Sequence, residues 1–242
     1  MQPTLILSAV PREIALLTDR LTDPVAPECG MFPALAGSIG GIPLVCCAGG
    51  IGKANAAAAA VWLIERYQPG RIIVTGCGGA YPGSGLSVGD LAVASDEIFG
   101  DEGAYTPEGW LELQQMGLPL LSSGGRHWYN TIPLARLETE QVMRSAGNHG
   151  LRLVRGRFIT VSACSGTKTR GLELTRRHQA ICENMEGAAV ALIALRYGIP
   201  CLELRGISNL VEDRDMSRWN IDLAAATAQR FVLKVIELLG TP

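Results

Sequence analysis

Residues 43–80 read PLVCCAGGIGKANAAAAAVWLIERYQPGRIIVTGCGGA. Their pattern sets the fold class. An apolar run, Pro43–Ala48, is short enough for a buried strand and ends in glycines. A helical run follows over Lys53–Tyr67 and stops before Pro69-Gly70. A second apolar run, Arg71–Thr75, ends in Gly76-Cys77-Gly78-Gly79. Strand, helix and strand in succession predict a parallel unit. Working outward, further strands are expected at Thr4–Ala9, Asp90–Ile98, Leu151–Thr160 and Cys201–Ile207, most of them near-continuous apolar runs of the kind a sheet covered on both faces needs. Helices are expected at Arg12–Leu21, Leu134–Ala146, Leu172–Ala180, Met185–Tyr197 and Asp222–Leu239. Ala80–Ser87 and Gly100–Thr131 read as long loops with at most short helices, and loops of that length tend to be functional. The expectation is an α/β chain forming one domain over 1–242, with no internal repeat.

Composition narrows the function. The 242 residues are 48% hydrophobic and 18% charged, with 21 Lys and Arg against 23 Asp and Glu in mixed order. No basic stripe is available for a phosphate backbone or an anionic bilayer, so neither nucleic acid nor membrane is an expected partner. The longest apolar stretch, Ala56–Ile64, is about half of what spanning a bilayer requires. Met1–Val10 has no basic residue ahead of its apolar run, so a cytoplasmic location is expected. Seven cysteines (29, 46, 47, 77, 164, 182, 201) without a Cys-x-x-Cys pair, and three distant histidines (127, 149, 178), give neither a disulfide framework nor a zinc site. No cofactor and no metal are expected.

Both glycine clusters stand where α/β proteins build sites, at carboxyl ends of predicted strands. Ala48-Gly49-Gly50-Ile51-Gly52-Lys53 is not a P-loop, since Ala54 follows Lys53, and Tyr81 spoils a dinucleotide fingerprint in the second cluster. Tight turns and a surface where backbone approaches a ligand remain equally open. Glu186, in Asn184-Met185-Glu186-Gly187-Ala188-Ala189, opens an otherwise apolar helix. It is either an acid favoured by the helix dipole or an acceptor for ligand hydroxyls. Glu13 offers the same choice between a first-turn acid and a base, and Asn209 that between a turn residue and a ligand contact.

Taken together, Ser8-Ala9 with Glu13, Gly50-Ile51-Gly52-Lys53, Thr75-Gly76 with Gly79, Val88-Gly89-Asp90, Ser95-Asp96-Glu97, Asn184–Ala189 and Arg205 with Ile207-Ser208 follow an order that resembles the purine nucleoside phosphorylase and nucleosidase superfamily from end to end. Gly100–Gly109 and Ile207–Trp219 are most similar to its futalosine hydrolase branch. The resemblance implies a three-layer α/β/α domain around a twisted, mixed, mostly parallel sheet. It implies hydrolysis of futalosine to hypoxanthine and dehypoxanthine futalosine in menaquinone biosynthesis, by a homo-oligomer, often a dimer in such relatives, acting on a small purine nucleoside.

Residue by residue, the resemblance implies that Glu186 accepts from the ribose hydroxyls while Met185 packs against the sugar, and that Glu13 orients and deprotonates water. Substrate contacts are expected from Gly50, Ile51, Cys77, Gly78, Gly79, Thr160, Asn184, Met185, Ser208 and Arg214. Asn209 stands where the methylthioadenosine nucleosidases carry an Asp that protonates the purine at N7. An amide cannot give that proton, but it can accept from N7–H and donate to O6 of a 6-oxopurine. Turned over, it could pair with an aminopurine. Gly166 stands in place of an aromatic stacker, and Arg214, Arg218 and Trp219 are candidates for the carboxybenzoyl end of futalosine, unless Glu212–Asp215 is only a solvated loop. Asp213 or Asp215 is an alternative acid. Val74 stands where the hexameric phosphorylases carry a phosphate-binding Arg, and Cys77 where they carry a Ser, so water is the expected acceptor. Adenine release from methylthioadenosine or adenosylhomocysteine is the alternative reaction. A binding protein without turnover is the alternative class.

Overall fold

The computed structural model describes residues 1–27, 30–148 and 152–239. Cys29, His149 and Leu151, the first residue of one expected strand, lie outside the described residues. The strands are β1 (Thr4–Ser8), β2 (Thr22–Val25), β3 (Ala34–Ile39), β4 (Ile42–Ala48), β5 (Arg71–Ala80), β6 (Leu91–Phe99), β7 (Gly103–Thr106), β8 (Gly109–Glu112), β9 (Leu121–Ser123), β10 (Arg126–Trp128), β11 (Thr131–Pro133), β12 (Leu153–Thr160), β13 (Ala180–Asn184) and β14 (Cys201–Leu210). The helices are α1 (Ala15–Thr18), α2 (Lys53–Tyr67), α3 (Leu113–Met116), α4 (Arg136–Asn148), α5 (Lys168–His178), α6 (Gly187–Tyr197) and α7 (Ile221–Leu239).

Three layers follow from the two-residue period of the strands. Leu5, Leu7, Val45, Cys47, Ile72 and Val74 face the buried side chains of α2 and α6, while Ile6, Leu44, Cys46 and Ile73 face α7 with Val142 of α4. Parallel ladders join β4 to β1, β1 to β5, β5 to β14, and β6 to β12 to β13. Antiparallel ladders add β3 and β2 at one edge and β11 at another. β14 also pairs antiparallel with β6, and β13 with β5, so β5, β14, β6, β12 and β13 close on themselves. Register shifts in β14 at Ile207/Asn209 and in β12 at Gly156/Phe158 supply the bend that closure needs.

Several boundaries depart from the sequence reading, each for a local reason. The strand expected to end at Thr75 runs on to Ala80, so Gly76–Gly79 is strand rather than turn. A Cβ on Gly78 would strike Cys182 Sγ of β13, and one on Gly79 would stand 3.1 Å from Val211. These glycines admit neighbouring strands. The expected helix Arg12–Leu21 is a 3-10 turn, Pro11–Glu13, followed by the single turn α1. α6 begins at Gly187 instead of Met185, because the Asn184 side chain takes the first free amides. The Gly100–Thr131 region folds into two small hairpins, β7–β8 and β9–β10, with α3 between them.

Candidate active site

A cavity of about 250 Å³ opens at the carboxyl ends of β1 and β5 and beside β13 and β14. The Glu13 side chain folds back from its turn. Its Oε1 accepts from Cys77 N at 2.8 Å, and its Oε2 from Ala9 N at 3.1 Å and Val10 N at 3.3 Å. The first-turn acid and the cavity carboxylate are thus the same group, held by three main-chain amides. Gly76 permits the approach, since a Cβ there would come within 2.7 Å of Glu13 Oε1.

Glu186 sits at the N-cap of α6 but does not cap it. Asn184 Oδ1 accepts from Glu186 N and Gly187 N at 3.0 and 2.8 Å, which frees the Glu186 carboxylate for the cavity. There Oε1 accepts from Gly52 N at 3.0 Å, and Oε2 lies 3.5 Å from Arg205 Nη2. Burial pushes the Glu186 carboxyl up, against the pull of Arg205 and the Gly52 amide.

Arg205 entered the sequence reading only as part of the motif with Ile207-Ser208, without a role of its own. It is 1% exposed. Its Nε donates to Glu203 Oε1 at 2.8 Å and its Nη1 to the Cys77 carbonyl at 3.2 Å. Burial works against its charge, but the carboxylates of Glu203, Glu186 and Glu13 outweigh that and hold the guanidinium firmly protonated. The signal was available in the strand pattern, where a charged pair, Glu203 and Arg205, interrupts the apolar run Cys201–Ile207 on one face.

Asn209 lies further along β14, beside Gly79. Its Nδ2 donates to the Leu210 carbonyl at 3.1 Å, and its Oδ1 accepts from the Ser208 hydroxyl at 2.8 Å. The Leu210 carbonyl, which can only accept, sets the nitrogen end of the amide toward it. One N–H and one lone pair remain for a ligand. Cys164 and Ser165 form the facing wall. Ser165 is tied down by Glu183, whose Oε1 accepts from Ser165 N at 2.8 Å and whose Oε2 accepts from Tyr81 Oη at 2.9 Å. Cys164 and Ser165 fall within the Thr160–Thr167 span where the resemblance puts the base, whereas Glu183 was missed by the sequence reading. Met185 Sδ lies 3.3 Å from Cys164 Sγ, and burial, with Glu13 nearby, pushes the Cys77 thiol up to about 12.

Of the residues expected here, Glu13, Ile51, Cys77, Gly78, Gly79, Asn184, Met185, Glu186, Ser208 and Asn209 line this cavity together. Gly50, Thr160 and Arg214 do not. Gly50 N donates to the Ala9 carbonyl, behind Ile51. Thr160 is fully buried between Glu97 and Asn184, at 2.7 and 2.9 Å. Arg214 stands at the rim, its guanidinium 4.8 Å over the ring of Trp219, which does line the cavity. Arg218 pairs with Glu212 at 2.5 Å. Asp213 accepts from Lys168 N and Asp215 from Ser217 N, and neither lines the cavity, so the alternative acids are capping residues. Among the described residues no helix is long and apolar enough to cross a membrane, and no group of three or more His, Cys, Asp or Glu could hold a metal ion.

The phosphorylase superfamily family model matches residues 3–237. The chain belongs to the phosphorylase superfamily. It is 35% identical over 187 residues to the futalosine hydrolase of Thermus thermophilus, covering 77% of this chain and 78% of that one. It is 26% identical over 238 residues to the 5'-methylthioadenosine/S-adenosylhomocysteine nucleosidase of Maridesulfovibrio salexigens, covering 97% and 98%. The crystal structure of the same type of nucleosidase from Neisseria meningitidis, in complex with methylthio-immucillin-A, superposes with a TM-score of 0.85 at 21% identity over 98% of this chain and 99% of that one. Within the superfamily this chain is an enzyme of the N-glycosidase type, a nucleoside hydrolase of the group that holds both kinds of relative.

Proposed function

We propose that the protein hydrolyses futalosine, releasing hypoxanthine and leaving dehypoxanthine futalosine, a step of menaquinone biosynthesis by the futalosine route. The observation that carries this reading is the Asn209 amide, oriented by Ser208 and Leu210 at the cavity wall. Its free lone pair suits N7–H of departing hypoxanthine and its free N–H suits O6. Breaking the glycosidic bond sends the electron pair to the base and builds positive charge on the ribose. Glu186 accepts from the ribose hydroxyls and stabilises that charge. Glu13 takes a proton from the water whose oxygen bonds to the sugar carbon, and the base collects its proton at N7 from solvent. Arg205 lies 3.5 Å from the Glu186 carboxylate, and its charge opposes the upward push of burial there.

Water rather than phosphate fits the charge inventory. Arg205 is the cation among the residues lining the cavity, and it is already engaged by Glu203 and Glu186. A phosphate dianion would meet carboxylates without a free clamp. At the rim, Arg214 over Trp219 offers a cation and an aromatic surface for the carboxybenzoyl end. One observation favours the second reading, adenine release from methylthioadenosine: the likeness to that nucleosidase runs over 97% of the chain. Incubation with each nucleoside in phosphate-free buffer, followed by chromatography of the free base, decides between them. Hypoxanthine from futalosine at the higher kcat/KM is expected. Faster adenine release, or no hypoxanthine, refutes the proposal.

A further inference from the structure

Two carboxyls that take no direct part in this chemistry meet behind the cavity wall. Glu97 of β6 and Glu203 of β14 are both fully buried, and neither lines the cavity. They converge on Gly187, where a Cβ would collide with oxygens of both. Glu97 Oε2 accepts from the Thr160 hydroxyl at 2.7 Å, and Oε1 accepts from Asn184 Nδ2 at 2.6 Å. Glu203 Oε1 accepts from Arg205 Nε at 2.8 Å. Glu203 Oε2 is buried and has no hydrogen-bond partner in the protein. An orphaned acceptor facing a carboxyl oxygen, at full burial, is the geometry that one proton completes.

We propose that Glu97 and Glu203 share a single proton, Glu97 Oε1–H donating to Glu203 Oε2, and that this acid pair is the positioning device that holds Arg205 and the Glu186 turn together. With that proton present every oxygen of both side chains has a partner. Glu203 keeps its charge for Arg205, which reaches Glu186 and the Cys77 carbonyl. Glu97 grips the Asn184 amide, whose oxygen fixes the amides of Glu186 and Gly187. Burial, and then the neighbouring Glu203 charge, push the Glu97 carboxyl upward, against Thr160 and Arg205. The other titratable groups facing the pair are Arg205 of β14, Glu186 at the start of α6, Cys182 of β13 and Cys201 of β14. The inference rests on the proposed roles of Glu186 and Arg205, but not on which nucleoside is cleaved.

Isotope-edited infrared spectroscopy of the protein labelled at its glutamate carboxyls tests the pairing without substrate. At pH 8 a neutral-carboxyl stretch is expected. It should vanish in Glu203→Gln, where the amide donates to an ionised Glu97, and persist in Glu13→Gln. Kinetics then test the role. Glu203→Gln should keep kcat within about threefold, because its carbonyl still accepts from Arg205 and its N–H replaces the proton, whereas Glu203→Leu should lose about tenfold or more in kcat with KM little changed. Absence of the neutral band, its survival in Glu203→Gln, or equal kcat losses in a folded Glu203→Gln and Glu203→Leu would overturn the proposal.

Discussion

Along β14 the cavity changes character between Arg205, paired with Gly76, and Asn209, paired with Gly79. At the Arg205 end two carboxylates, Glu13 and Glu186, line the cavity with the guanidinium, and Glu203 holds that guanidinium from behind the wall. At the Asn209 end the polar groups left for a ligand are an amide and main-chain atoms, because the Glu183 carboxyl there is already engaged by Ser165 and Tyr81. The contrast matches the reaction proposed, in which the sugar becomes cationic and the base gains electron density. Anionic groups stabilise the first, and a neutral donor and acceptor pair receives the second.

The sharpest way to break this contrast is to remove charge at the Arg205 end. Glu13→Gln keeps the shape and one of the two acceptor oxygens but cannot take a proton, so kcat should fall about 10²–10⁴-fold with KM little changed in steady-state assays. A loss below tenfold would mean that water is activated elsewhere. Next in size is the neutral end. Asn209→Asp should move the ratio of adenine to hypoxanthine release toward adenine by about tenfold or more, the discrimination expected of one two-point contact, read from kcat/KM for the two nucleosides.

A smaller effect separates the two ends by pH. Glu186 must be ionised to accept from hydroxyls, and its carboxyl lies above the ordinary 4.5 because burial outweighs Arg205. Activity should therefore be full at neutral pH and fall on acidification through a value above 4.5, seen as the acid limb of kcat/KM for the free enzyme. A limb at or below 4.5 would contradict the burial argument. Smallest is Cys77, which lies between the ends. With its thiol pushed up to about 12 it should resist iodoacetamide at neutral pH, while the more exposed Cys164 reacts first, as peptide mass spectrometry would report. Cys77→Ser should leave kcat/KM within about threefold, since no thiolate is used.

How much of this was legible in the sequence depends on the range over which each residue is determined. Lys53–Tyr67 appears with the expected bounds because its alanine-rich run and the Pro69-Gly70 stop are local signals. Gly76–Gly79 was left open between a turn and a ligand-facing surface because glycine has the same letter whether it bends the chain or admits Cys182 and Asn209 from other strands. Ala180–Asn184 was not expected as a strand, since its Glu and Asn are buried by partners such as Ser165, Tyr81 and Glu97 that are remote in sequence. Glu13, Glu186 and Asn209 could be nominated because each stands at a strand or helix end, where sites are built. Arg205 carried a signal too, as half of a charged pair inside an apolar strand, but its role depends on Glu186, which is close to it only in the fold.

The most direct test of the two-ended cavity is a crystal structure with hypoxanthine and a ribose-like iminosugar bound. The account predicts Asn209 Oδ1 on N7–H, Asn209 Nδ2 on O6, and Glu186 on the sugar hydroxyls, with an ordered water beside Glu13. A purine seated against Glu13 and Arg205, with the Asn209 amide touching no ligand atom, would contradict it.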